Sequence, residues 1–210
     1  MSEPVIILAN GLFPSAGLSL GYLDNAERIV CCDGSVTSLV RYGLEPWAIA
    51  GDLDSVPSEL RIKYADRLFQ SDDQETNDLT KAVQFCLSRG ITDIVILGAT
   101  GLREDHTIGN ISLLADYAES LSVKMVTDHG IFIPVIPGAS ISSWPGQQVS
   151  IFAIDKGVKI TSSALKYPLD NTELVNWWMG TLNESEGDHF SLHFTGGRVI
   201  VFLELLSSKK

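Results

Sequence analysis

A chain of 210 residues, 45% apolar and 20% charged, has room for one large globular domain or two small ones. Its formal net charge of −11 argues against a nucleic-acid-binding or anionic-membrane surface. It leaves a phosphate substrate open, because a bound cation can mask the local field.

The first apolar run, Val5–Ala9, reads as a buried strand and is followed by the turn Asn10-Gly11. Ile29–Cys32 reads the same way and leads into Asp33-Gly34. Cys31 and Cys32 are neighbours on this strand and therefore point to opposite faces. With Cys86 they make three cysteines at no disulfide or zinc spacing, so buried, reduced thiols in a cytoplasmic protein are expected. Trp47–Ala50 is the third strand. It ends in Gly51-Asp52-Leu53-Asp54-Ser55, with a helix start at Pro57-Ser58-Glu59. Arg67–Gln70 precedes Asp72 and Asp73.

Asp78–Ser88 carries Leu79, Ala82, Val83 and Cys86 at helical spacing and stops at Gly90. Ile94–Leu97 leads into Gly98-Ala99-Thr100-Gly101-Leu102-Arg103-Glu104-Asp105-His106. A helix is predicted over His106–Leu121 and a strand over Lys124–Thr127. Strands alternating with helices predict a doubly wound, mostly parallel sheet. Beyond a hinge at Asp128–Gly130 the helical rhythm stops. Ile131–Ile136, Val149–Ile154, Val158–Thr161, Phe190–Phe194 and Val199–Leu205 read as strands separated by Gly and Pro turns. The expected fold is thus α/β plus all-β. An N-terminal α/β domain spans 1–128, and a smaller antiparallel β-sandwich domain spans 129–210. The tail Ser207–Lys210 is expected to fray. The start of the chain lacks a signal-peptide pattern, and no apolar run is long enough to span a bilayer.

The acids cluster. Asp33, Asp52, Asp54, Asp72, Asp73, Asp78 and Asp105 all follow strands or open helices. In a parallel sheet such positions converge on the carboxyl edge, where ligands bind. Helix capping or a turn role explains any one of them alone. Together they make a repulsive field that calls for a cation, and a hard ion such as Mg²⁺ brings phosphates with it. Lys81 lies three residues after Asp78 on one helical face, as a surface ion pair or as a phosphate ligand. Arg103 sits in a glycine-containing turn suited to phosphate oxygens. His106 is either a donor to substrate or a structural cap. No G-x-x-x-x-G-K-[ST] and no G-x-G-x-x-G occurs.

Taken in order, Asn10-Gly11, Cys32-Asp33-Gly34, GDLDS at 51–55, DQETNDLTKA at 73–82, GATGLREDHTIGN at 98–110, LKYPL at 165–169 and GTLNES at 180–185 resemble the thiamine pyrophosphokinase family. The resemblance implies a homodimer with the thiamine site at the subunit interface. It implies diphosphoryl transfer from ATP to thiamine, with Mg²⁺, ATP and thiamine as ligands; the charge and the absence of a spanning apolar run lead us to expect neither nucleic acid nor membrane as partner. Carried over by motif, Asp52, Asp54 and Asp78 would hold the metal, and Lys81, Arg103 and Asp105 would complete the catalytic set. Asn10, Asp33, Gly34, Asp73, Gln74, Lys81, Arg103 and His106 would face ATP. Asp105, His106, Tyr167 and Asn183 would face thiamine, with Tyr167 stacking on it, and Asn110 would support its helix. Tyr167 equally suits a packed strand-end aromatic.

Three positions depart from the family pattern. Asn77 stands where Thr is common, Leu102 where a glycine is common, and Leu182 where Ser is frequent. Two rivals remain. One is a haloacid-dehalogenase-like phosphatase with Asp52 as nucleophile, although that motif normally ends its domain's first strand. The other is a non-catalytic thiamine or nucleotide sensor, which has no need of the full acidic and basic set.

Overall fold

A computed structural model describes residues 3–205, so the tail at Ser207–Lys210 lies outside the described residues. Two compact units emerge. The first runs to Leu113 and resumes from Tyr117 to Asp128; the second takes Leu114–Asp116 and continues from His129.

The first unit alternates strand and helix: β1 (Val5–Leu8), α1 (Gly17–Asp24), β2 (Ile29–Cys32), α2 (Ser35–Tyr42), β3 (Ala48–Gly51), α3 (Ser58–Lys63), β4 (Leu68–Gln70), α4 (Asp78–Ser88), β5 (Asp93–Leu97), α5 (Glu104–Tyr117) and β6 (Ser122–Val126). The sheet order is β6-β5-β1-β2-β3-β4, and every neighbouring pair is parallel. β1, β2 and β3 are buried along their whole length, as strands covered on both faces must be. The chain winds outward from β1 to β4, then returns to place β5 on the other side of β1. That reversal opens a crevice between the carboxyl ends of β1 and β5.

The helix α4 begins and ends as its periodicity predicts. α5 starts two residues earlier than predicted, because Glu104 and Asp105 suit the positive end of a helix. It ends four residues earlier, where Ser120 and Leu121 turn back onto the Tyr117 carbonyl. α1 carries two glycines within eight residues and no clean apolar face, so periodicity does not single it out. All three cysteines are buried and free; burial pushes the Cys31 and Cys86 thiols up to about 12 and raises Cys32 as well.

The second unit comprises β7 (Gly130–Val135), β8 (Ser140–Ser142), β9 (Gln148–Ala153), β10 (Lys159–Ser163), β11 (Thr172–Glu173), β12 (Asn183–Glu184), β13 (His189–His193) and β14 (Val199–Glu204). They form two antiparallel sheets, β12-β9-β14-β7 and β11-β10-β13-β8. Alternate residues turn inward. Val149, Ile151 and Ala153 from β9 and Val199, Val201 and Leu203 from β14 pack against Ile160, Phe190 and Leu192 of the other sheet. The short strands β8, β11 and β12 hold too few residues to show alternation in sequence. No helix among the described residues is long and apolar enough to cross a membrane.

Candidate active site

The crevice between β1 and β5 is a cleft of about 430 Å³ built wholly from the first unit. Its walls are the loops that leave the strands. Beyond β1 the backbone keeps pairing with the loop after β5: Gly11 N–H donates to Gly98 O at 2.7 Å and Leu12 N–H to Thr100 O at 2.8 Å. Asn10 is thereby set on the cleft wall.

The opposite wall is acidic. Gly51 ends β3 with φ +154°, and a Cβ there would lie 3.0 Å from Asp33 Cβ and 3.2 Å from Asp78 Oδ1. The glycine thus lets three segments close up. Leu53, buried, takes φ +68°, a conformation costly for a branched side chain. The Arg61 guanidinium holds this turn by donating to the Leu53 and Val56 carbonyls. Asp52 Oδ1 accepts the Asp54 N–H at 3.2 Å, and Asp54 Oδ1 accepts the Ser55 hydroxyl at 2.8 Å.

Asp33 follows β2 and is 4% exposed. Its Oδ2 accepts the Ser55 N–H at 3.3 Å, while its Oδ1 is buried without a hydrogen-bond partner. Burial pushes its pKa up; Ser55 opposes the rise, and the Asp78 and Asp52 charges reinforce it. One carboxylate oxygen from each of Asp33, Asp52 and Asp54 lies within 4.8 Å of the others. Asp78, which opens α4, accepts from Lys81 Nζ at 3.4 Å, and that lysine is 3% exposed. A buried, unpaired carboxylate oxygen beside other hard oxygen donors fits a hard divalent cation. The sequence placed Asp33 on the nucleotide side and named Asp78 as the third ligand. The buried, unpartnered oxygen of Asp33 beside Asp52 and Asp54 is a packing feature with no sequence signal.

The basic residues lie across the cleft, after β5. Gly101, not Leu102, takes the left-handed conformation in this turn (φ +89°), so the departure at Leu102 leaves the backbone free to turn. Leu102 itself projects at the cleft mouth, 61% exposed. Arg103 grips Asp105 as a fork, Nε to Oδ1 at 3.1 Å and Nη2 to Oδ2 at 2.5 Å, and the His106 N–H donates to Asp105 Oδ1 at 2.9 Å. These bonds lower the Asp105 pKa to about 2.

Of the residues named from sequence, Asn10, Asp33, Asp52, Asp54, Asp78, Arg103 and His106 line the cleft, as does Asn110. Gly34, Asp73, Gln74, Lys81 and Asp105 do not. Gly34 stands just behind, against Asn10 and Ser55. Asp73 closes its own turn, accepting from Glu75 N–H and the Thr76 hydroxyl, both at 2.9 Å, and the Gln74 amide turns back to the Asp72 carbonyl. Ser55 and Thr107 line the cleft without having been singled out in the sequence; as small hydroxyls in turns they carry no distinctive signal.

Tyr167 and Asn183 belong to the second unit. Tyr167 is 60% exposed. Asn183 is buried, and its carboxamide brackets the Tyr167 backbone: Oδ1 accepts Tyr167 N–H at 3.1 Å, and Nδ2 donates to Tyr167 O at 2.7 Å. Asn183 Oδ1 also accepts the Glu184 N–H. Both polar atoms of the Asn183 carboxamide thus hold the Tyr167 backbone. Leu182, just before it, is exposed with φ +60°.

Comparison with known proteins gives this geometry its family. Residues 20–126 match the family model "Thiamin pyrophosphokinase, catalytic domain", and residues 130–202 match "Thiamin pyrophosphokinase, substrate-binding domain". Thiamin pyrophosphokinase 1 of Caenorhabditis elegans is 26% identical over 166 residues, covering 72% of this chain and 68% of that protein. Thiamine pyrophosphokinase of Bacillus subtilis is 26% identical over 164 residues, covering 74% and 76%. The fold matches the crystal structure of the Bacillus subtilis enzyme with a TM-score of 0.79 at 24% identity, over 98% of this chain and 100% of that one. Thiamin pyrophosphokinase from Candida albicans gives 0.77 at 19% identity, over 96% and 89%. With both family models matched in order along it, the chain belongs to the thiamin pyrophosphokinase family.

Proposed function

We propose that this protein transfers a diphosphoryl group from ATP to the primary hydroxyl of thiamine. The thiamine oxygen bonds to the β-phosphorus while the bond from that phosphorus to the α,β-bridging oxygen breaks. AMP leaves with the bridging oxygen, and the product is thiamine diphosphate. The observation that carries this reading is the cleft itself, where an acid cluster with an unpaired buried Asp33 oxygen faces Arg103 and His106.

In this reading Asp33, Asp52, Asp54 and Asp78 hold a divalent cation, and that cation is Mg²⁺. When bound it neutralises charge on the phosphates. The protein's part is positioning and charge stabilisation, since phosphoryl transfer leaves it little covalent work. Lys81 fixes Asp78 from beneath. Arg103 offers a planar cation to the phosphate chain as charge shifts toward the leaving AMP. Asn10 and Gly34 frame the nucleotide, Asp73 and Gln74 shape the loop before α4, and His106 lies beside the transferred group. Asp105, held near 2, is a poor base. Its role is to accept a hydrogen bond from the thiamine hydroxyl and orient it. Tyr167 offers an aromatic face to the cationic thiazolium.

We further propose a cytoplasmic homodimer with thiamine held at the boundary between protomers. Exposed Ile136, Val175, Trp178 and Leu182 on the second unit supply an apolar surface for that contact. Incubating the protein with ATP, thiamine and MgCl₂ and separating the products tests the reaction. AMP and thiamine diphosphate should form one for one. ADP with thiamine monophosphate, or phosphate release that ignores thiamine, would overturn the assignment.

A further inference from the structure

Two asparagines that line the cleft are joined through their side chains. Asn77 caps α4: its Oδ1 accepts the Thr80 N–H at 2.9 Å. Only the oxygen of a carboxamide accepts, so this bond fixes which way the group faces. Asn77 Nδ2 is turned outward and donates to Asn110 Oδ1 at 3.2 Å. That bond fixes Asn110 in turn, and Asn110 Nδ2 donates to the Ala99 carbonyl at 2.9 Å. Donor meets acceptor at every step from the α4 backbone to the loop after β5.

The ends of this line matter. Asn77 immediately precedes Asp78 in the acid wall; Ala99 lies in the turn that carries Arg103, and Asn110 lies on α5, the helix that carries His106. The two walls belong to separate elements; the Asn77–Asn110 bond joins them, and the Asn110–Ala99 bond ties α5 to the loop that precedes it. We propose that Asn77 and Asn110 form a carboxamide relay that sets the distance between the acid cluster and the Arg103–His106 wall. The relay thereby aligns the phosphate chain with the attacking hydroxyl. This rests on the diphosphoryl-transfer reading. Neither asparagine takes part in bond making; both are positioning residues.

Reaction rates fall steeply with misalignment, so a slackened cleft lowers kcat more than it weakens substrate binding. Asn77→Thr separates cap from relay. Threonine keeps an N-cap oxygen, but its hydroxyl ends one bond nearer the backbone than the carboxamide nitrogen and falls short of Asn110. Asn110→Ala removes both remaining bonds. Each single variant should lower kcat by about tenfold with the KM for ATP changed less than about twofold. Asn77→Thr should melt within a few degrees of wild type. Because the relay acts as one unit, the double variant should be no slower than the slower single variant. Wild-type kcat in Asn77→Thr, or losses that multiply in the double variant, would overturn the proposal.

Hydrogen exchange tests the relay without turnover. Asn77→Thr should speed exchange of the amides from Ala99 to His106 in a protein otherwise protected as wild type. Unchanged exchange there would overturn the relay. A wild-type protein that makes no thiamine diphosphate yet shows the faster exchange in the variant would overturn only the assigned reaction.

Discussion

Asp33 is buried with one oxygen unpaired, and that arrangement opposes folding when no cation is present. A carboxyl whose pKa rises on folding binds protons more readily in the folded chain than in the unfolded one. Stability of the metal-free protein should therefore fall as pH climbs from the ordinary carboxylate range through the raised native pKa of Asp33. It should stay lowered above that. A divalent cation should recover the loss, and thermal denaturation with and without EDTA across pH reads both effects. Asp33→Asn places an N–H donor among the acids, and Asn tolerates the residue's φ of +43°. The variant should gain about 1 kcal/mol in EDTA, because an unpaired buried acceptor is removed. It should also lose the metal-induced rise in Tm and nearly all turnover. A metal-induced rise equal to wild type would show that Asp33 holds no cation. Asp54→Asn and Asp78→Asn should lower turnover by about a hundredfold or more while the far-UV spectrum stays native. Unfolding of both would assign them to capping instead.

Tyr167→Ala should raise the KM for thiamine more than that for ATP, and equal changes would remove it from the thiamine site. Asn183→Ala should shift the same constant in the same direction, because Asn183 sets the Tyr167 backbone. What the sequence showed at this scale was chemical type and place: acids after β2 and β3 and at the start of α4, a cation after β5. It did not show which oxygen ends up unpaired. Nor did it show that Asn183 faces inward to Tyr167. Those facts depend on contacts between segments far apart in the chain.

At the scale of elements, the apolar periodicities located the long strands and α4 because each buries a face that its spacing reveals. β1 is the clearest case: Val5, Ile6, Ile7 and Leu8 are all buried, as the unbroken apolar run requires. Ile7→Ala should cost about 2–5 kcal/mol, measurable by urea denaturation. A change below that range would mean the strand is less central than its position between β2 and β5 implies. α2 escaped detection although Val36, Leu39 and Val40 recur at helical spacing; α1, β8 and the two-residue strands β11 and β12 escaped for a physical reason. These four are short, and they are held by neighbours rather than by their own pattern. The tight turn at Gly51–Leu53 is likewise set by tertiary contact, above all the grip of Arg61 on the Leu53 carbonyl. Gly51→Ala should push Asp33 and Asp78 apart and lower turnover without moving the sheet, which activity and circular dichroism together would read.

At the scale of the molecule, a net charge of −11 repels free ATP. Nucleotide binding should therefore be weak without a divalent cation and should strengthen when one is added, as calorimetry would show. The apolar residues exposed on the second unit frame the dimer prediction. Trp178→Glu should convert a dimer into a monomer by light scattering and raise the KM for thiamine. A wild-type monomer with full activity would contradict the shared site. Near residue 129 the sequence changes rhythm, as helical spacing gives way to strands and glycine turns, and the second compact unit continues from His129. How protomers associate leaves no such trace, since exposed apolar residues alone do not name their partner.

In the proposed reaction, attack falls on the β-phosphorus. It is tested most directly with ATP radiolabelled at that phosphorus, incubated with thiamine and MgCl₂ and followed through a single turnover. The label should move into thiamine diphosphate and leave AMP unlabelled. Label retained in ADP, with thiamine monophosphate as the other product, would contradict it.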